Sequence, residues 1–186
     1  AQAQDAWWRP SVASGITEPR WVRAIEIHPA TVKGRRITHH ALARLQQPED
    51  MPKELFTNDP NVAGDGLFME WAVGKGGDEM RPGSGRLMLP GSKFVFEMHY
   101  HAVGEEITAH TELAVWFSPK GQEPRHREVL ALFNTFSGAA PGGRSLDIQP
   151  NSVTTTESFG TLKQNARIEN FQPHMHLRGK AMEVEA

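Results

Sequence analysis

The sequence predicts an all-β protein, an antiparallel β-sandwich of jelly-roll-like character. Three observations carry that expectation. Apolar and polar residues alternate with period two in several short runs, and Gly- and Pro-rich turns separate those runs. No stretch carries a convincing helical period, and no internal repeat or low-complexity tract is present. Short strands punctuated in this way bury one face each and need a second sheet to cover it.

In chain order, RWVRAIEIHP (Arg20 to Pro29) sets Ala24, Glu26 and His28 against Ile25 and Ile27, and Pro29 ends the run. RRITHHALARL (Arg35 to Leu45) fits helix or strand on periodicity alone. An irregular region dense in Pro, Asp and Asn follows, from Gln46 to about Gly66. LFMEWAV (Leu67 to Val73) is a strand closed by GKGG, and RPGSGRLMLPGS supplies two Pro-Gly turn signals. KFVFEMHYHAV (Lys93 to Val103) sets Phe94, Phe96, Met98 and Tyr100 on one face and Val95, Glu97, His99 and His101 on the other. ITAHTELAVWFSP (Ile107 to Pro119) is a further strand, and the polar PKGQEPRHRE run has the character of a domain linker. VLALFNTF, SLDIQPNSVTTTESFGTL and ARIENFQPHMHL continue the strand pattern.

The 186 residues suffice for one large domain or about one and a half ordinary ones. The net charge of -2 argues against a nucleic-acid or anionic-membrane surface, and no apolar run reaches the ~20 residues of a membrane span. Cysteine is absent, which excludes disulfides, Cys-ligated zinc and thiol catalysis. AQAQDAWW has neither the charged n-region nor the apolar core of a signal peptide.

The chemistry concentrates in histidine. Six of the nine fall into three close groups: His39-His40, His99 with His101, and His174 with His176. On a strand, residues i and i+2 share a face, so His174 and His176 would project side by side, either as a two-point chelate or as a solvated pair on an exposed strand face. Imidazole suits copper, zinc, iron or nickel. Adjacent histidines on a regular strand point to opposite faces, so His39 and His40 can share a metal only where the backbone twists or bends. His28, His110 and His126 lack such company and are surface or turn histidines on this view.

THHALA (Thr38 to Ala43), VFEMHYH (Val95 to His101) and QPHMHLRGK (Gln172 to Lys180) occur in that order. The set resembles the copper type II, ascorbate-dependent monooxygenases, the family of peptidylglycine α-hydroxylating monooxygenase and dopamine β-monooxygenase, and its bacterial members above all. The resemblance runs from about Arg20 to the last residue. It implies a pair of β-sandwiches whose copper sites face a shared cleft. An adjacent histidine pair and one later histidine hold an electron-transfer copper, matching His39, His40 and His99. An HxH pair and a distant methionine hold the oxygen-binding copper, matching His174 and His176; the methionine has no counterpart. The implied reaction is hydroxylation of a C–H bond with dioxygen, ascorbate being the reductant, with no catalytic side chain beyond the metal ligands.

The expected organisation is a first copper monooxygenase sandwich at 1–122 and an incomplete start of the second at 123–186, with the boundary near Gln122 to His126. MEVEA stops inside a strand-like run, so the chain as given is expected to be a fragment that holds the first copper and is inactive alone. A periplasmic or secreted location is expected from the copper–dioxygen chemistry. Gln172 stands where peptide-hydroxylating members carry an Arg that anchors the peptide carboxylate, and Glu97 stands where they carry Gln. Glu97 is open between tuning a ligand and a solvated strand position; His101 is open between ligand, outer partner of a ligand and bystander.

Two other readings compete. A cupin-like oxygenase would use one metal in a β-barrel through His99, His101, Glu105 and His110, in the order of the first cupin motif. A non-catalytic module would bind copper or zinc through its histidines without turnover.

Overall fold

The computed structural model describes residues 4–50, 66–130, 148–157, 162, 165–173, 175 and 178–186. Two sheets face each other across one apolar core, the all-β sandwich expected from the sequence. The first contains β1 (Ala6–Trp8), β2 (Ser11–Ala13), β4 (Thr38–Gln46), β5 (Leu67–Ala72) and β8 (Lys93–Tyr100), in the order β1-β8-β4-β5 with β2 also on β8. The second contains β3 (Arg20–Pro29), β6 (Asp78–Glu79), β7 (Ser84–Met88), β9 (Thr111–Phe117) and β10 (His126–Arg127), in the order β10-β7-β3-β6 with β9 also paired to β3.

Alternation decides which residues face inward. On β3, Val22, Ile25 and Ile27 are buried while Glu26 and His28 are only partly covered. On β4, Ala41, Ala43 and Leu45 turn inward, and on β8 so do Phe94 and Met98. With Phe68, Met69 and Trp71 of β5 and Met88 of β7 they form one contiguous cluster. Each fully buried aliphatic side chain contributes about 1.5–3 kcal/mol relative to exposure. The small Ala41 and Ala43 leave room for the larger side chains around them, as close packing requires.

The ambiguous run beginning at Arg35 divides. Val32–Ile37 form α1, a single short helix between the two sheets, and Thr38 opens β4. The hydroxyl of Thr31 accepts from Gly34 N–H at 2.9 Å, which caps the helix start. Gly34 is constrained by that cap, since a Cβ there would sit 2.7 Å from Thr31 Oγ1. The Thr38 hydroxyl donates to the Gly34 carbonyl at 2.8 Å, and the chain turns from helix to strand just before the histidine pair.

Several elements differ from the sequence expectation. The AWW and SVA segments form edge strands on β8, interrupted at Pro10, which cannot donate to a ladder; its carbonyl accepts from Phe96 N–H. RPGSGRLMLPGS contains β7 between its two turns, where Gly83 and Gly91 take φ of +83° and +79°. The polar run from Pro119 is held against the sandwich. β10 pairs in parallel with β7, and Glu128 meets the buried Arg86 at 3.2 Å. Beyond Arg127 the described residues contain no helix or strand. ARIENF and MEVEA have strand-like composition, but β propensity becomes a strand only beside a ladder partner. Ile168, Phe171, Met182 and Val184 stay exposed. Most of VLALFNTF lies outside the described residues.

No helix among the described residues is long and apolar enough to cross a membrane.

Candidate metal centre

The outward face of the first sheet carries the histidines. Ala41 and Met98 point into the core, so His40 and His99, one residue away on each strand, point out. The register brings them opposite each other: His40 pairs with His99, and His99 pairs on its other side with Trp7. One cross-strand row therefore reads Trp7, His99, His40 on adjacent strands.

His39 joins them through a bulge. Thr38 pairs with Tyr100 and His40 with His99, so His39 is an extra residue with no partner of its own. A regular ladder would send His39 and His40 to opposite faces. The bulge breaks the alternation, and their Nδ1 atoms come to 3.1 Å. Two imidazole nitrogens at that distance need a shared proton or a cation between their lone pairs. The ring centroids of His39 and His40 lie 4.8 and 5.0 Å from that of His99.

These three are the metal-competent group found among the described residues, with one donor atom from each lying within 4.8 Å of the others. Two metal–imidazole bonds of about 2.1 Å span at most ~4.2 Å, so a pair even at the 4.8 Å limit is within about 0.6 Å of sharing an ion. The donor chemistry also fits. Nδ1 of His99 is buried without a hydrogen-bond partner. Its Nε2–H donates to Asp5 Oδ2 at 3.0 Å, which leaves the Nδ1 lone pair free. Burial, reinforced by the neighbouring His99 and His39 rings, lowers the pKa of His40 against the opposing pull of Glu70 and Glu97. That favours the neutral imidazole a metal requires.

The surroundings include residues that spacing alone does not pick out. Trp7 stacks on His99 with centroids 4.1 Å apart and planes 6° from parallel, and meets His40 edge-on at 5.4 Å. Asp5 also accepts from His101 Nδ1–H at 2.9 Å. His101 thus reaches His99 only through a shared carboxylate and is not a member of the three-donor group. Glu97 pairs with Arg9 at 2.9 Å. The strand-forming pair Trp7-Trp8 was the sole sequence signal for the N-terminal edge; nothing local links Asp5 to His99.

The other histidines lie elsewhere. His28 contacts Arg35, His110 lies 3.9 Å from Glu112, and His126 is exposed on β10. Glu105 pairs with Lys33 and Arg36, and among the described residues His99, His101, Glu105 and His110 do not form a metal-competent group. His174 and His176 lie outside the described residues. Two positions before His174, Gln172 donates to Glu70 at 2.6 Å and accepts from Lys75 at 2.6 Å. Glu70 pairs with the outward Leu42, so Gln172 is seated on the sheet face that carries His40.

No family model matches the chain, and no curated protein matches it. Fold and site together define an all-β sandwich with three imidazoles gathered on the outward face of one sheet, a group that could hold a metal ion.

Proposed function

We propose that the chain is the copper-binding part of a type II, ascorbate-dependent monooxygenase, with His39, His40 and His99 holding the electron-transfer copper. The observation that supports this best is the bulge at His39, which gathers an adjacent pair and a third histidine from the neighbouring strand. Three neutral imidazoles without thiolate suit a divalent late transition metal, and copper heads that affinity order. When bound, copper in such a site supplies reversible one-electron chemistry.

What the chain itself contributes is placement. The ladder between β4 and β8 fixes His40 against His99, and Trp7 shields one face of the His99 ring. His174 and His176 complete the reading as part of a second copper site, where dioxygen and a C–H substrate meet. Gln172, bonded to Glu70 on the outward face, is consistent with two centres that share one cleft. The location that goes with this chemistry is periplasmic or secreted.

Copper titration with metal analysis, followed by ascorbate-driven oxygen uptake in the full natural chain, tests the assignment. Uptake that is lost in both His39→Ala and His174→Ala supports it. Copper binding at His39, His40 and His99 with no uptake under any reductant favours the non-catalytic module instead. Metal bound equally well without those three histidines overturns the site.

A further inference from the structure

We propose that Asp5 is the positioning residue of the metal centre: its carboxylate holds Nε2–H of His99 and so commits Nδ1 to the metal. The inference rests on the three-histidine reading above. Asp5 lies 94 residues from His99 in sequence, yet its Oδ2 is 3.0 Å from Nε2. Its other oxygen accepts from His101 Nδ1–H at 2.9 Å and from Ala102 N–H at 3.4 Å. Both oxygens are thereby occupied, and the carboxylate is fixed from two directions.

A neutral imidazole carries one N–H and one lone pair, and its tautomer follows the partner each nitrogen finds. Here one nitrogen faces an anion and the other is buried with no hydrogen-bond partner, on the sheet face shared with His39 and His40. A buried lone pair with nothing to meet it is unfavourable, so the arrangement is complete only when a cation occupies the third corner. Trp7, stacked on the ring, keeps the imidazole plane in place but cannot distinguish the two nitrogens. Asp5 can. A carboxylate behind a ligating histidine also raises the basicity of the metal-facing nitrogen, and losing such a partner typically weakens metal binding about 10–100-fold. Glu97, which pairs with Arg9 instead, is the matched carboxylate for comparison.

The test compares wild type with Asp5→Ala, Asp5→Asn and Glu97→Gln. In the metal-free proteins, nitrogen NMR of the His99 ring reports the tautomer; with copper(II), chelator competition gives the affinity and electron paramagnetic resonance the ligand field. The expected result is a single Nε2–H tautomer in wild type and a mixture in Asp5→Ala. Copper affinity should fall about 10–100-fold in Asp5→Ala and less in Asp5→Asn, which keeps an acceptor oxygen; Glu97→Gln, whose carboxylate pairs with Arg9, should keep the wild-type His99 tautomer. Should Asp5→Ala fail to fold, the near-isosteric Asp5→Asn carries the comparison. If wild type binds copper and the Asp5 variants match it in affinity, tautomer and spectrum, this proposal is overturned and the three-histidine site stands. If wild type binds no copper, both fall.

Discussion

Metal binding should stabilise the fold by an amount that can be computed and then removed one histidine at a time. The centre ties β4 to β8 through side chains whose donors converge only in the folded ladder. A ligand that binds the native state alone contributes RT ln(1 + [L]/Kd), about 2.7 kcal/mol when copper is at ~100 times its Kd. For a chain of this size each kcal/mol raises the midpoint by roughly 2–4 °C, so copper should raise Tm by about 5–11 °C. Removing one imidazole of three weakens binding by at least the ~100-fold upper range for losing an outer partner. At the same copper concentration the gain then falls to about 0.4 kcal/mol, or about 1–2 °C. Differential scanning calorimetry in a non-chelating buffer measures this for wild type, His39→Ala, His40→Ala and His99→Ala. His28→Ala and His110→Ala are the controls, because those side chains lie beside Arg35 and Glu112. A full copper shift in His39→Ala would refute the claim that the bulge brings a third ligand to the centre.

Three further outcomes follow from the structure. Ile25, completely buried on β3, should cost about 2–5 kcal/mol when changed to Ala, read as a lower denaturant midpoint at unchanged slope. The lowered pKa of His40 makes metal-free stability pH-dependent. Above the unfolded value near 6.5 both states are neutral and this contribution is intact; as pH falls below it the unfolded chain takes up the proton first, and stability declines until the folded pKa is passed. His40→Gln should flatten that part of the profile, and urea midpoints between about pH 7 and 5 would show it. Glu128→Ala strips the buried Arg86 guanidinium of its carboxylate and should cost about 3–5 kcal/mol; no loss of Tm would mean that the run after Pro119 is not bound to the sandwich.

Much of the architecture is determined by patterns a few residues long. Ile25 and Ile27 against Glu26 and His28, or Phe94 and Met98 against Glu97 and His99, state which face is buried, because strand geometry forces the alternation. The Pro-Gly turns likewise follow from local chemistry, glycine taking the positive φ at residues 83 and 91. The two three-residue edge strands flanking Pro10 were not legible, since strands this short exist only through the neighbour that pairs with them; β7, set between two turn signals, shows itself only by its pairing with β3. The same reason explains why ARIENF and MEVEA, though strand-like in composition, form none among the described residues.

The candidate site divides along that line. Sequence alone determined the chemistry available: histidine in close groups and no cysteine, hence imidazole and not thiolate as the donor on offer. It also stated the obstacle, that neighbours on a strand point opposite ways. Only the tertiary structure removed it, because a bulge is a mismatch between two strands and cannot be seen in one of them. Register between β4 and β8 then chose His99 as the third member, and the edge strand β1 delivered Trp7 and Asp5 from the far end of the chain. Side chains distant in sequence become a centre through pairing, and pairing belongs to the sheet as a whole.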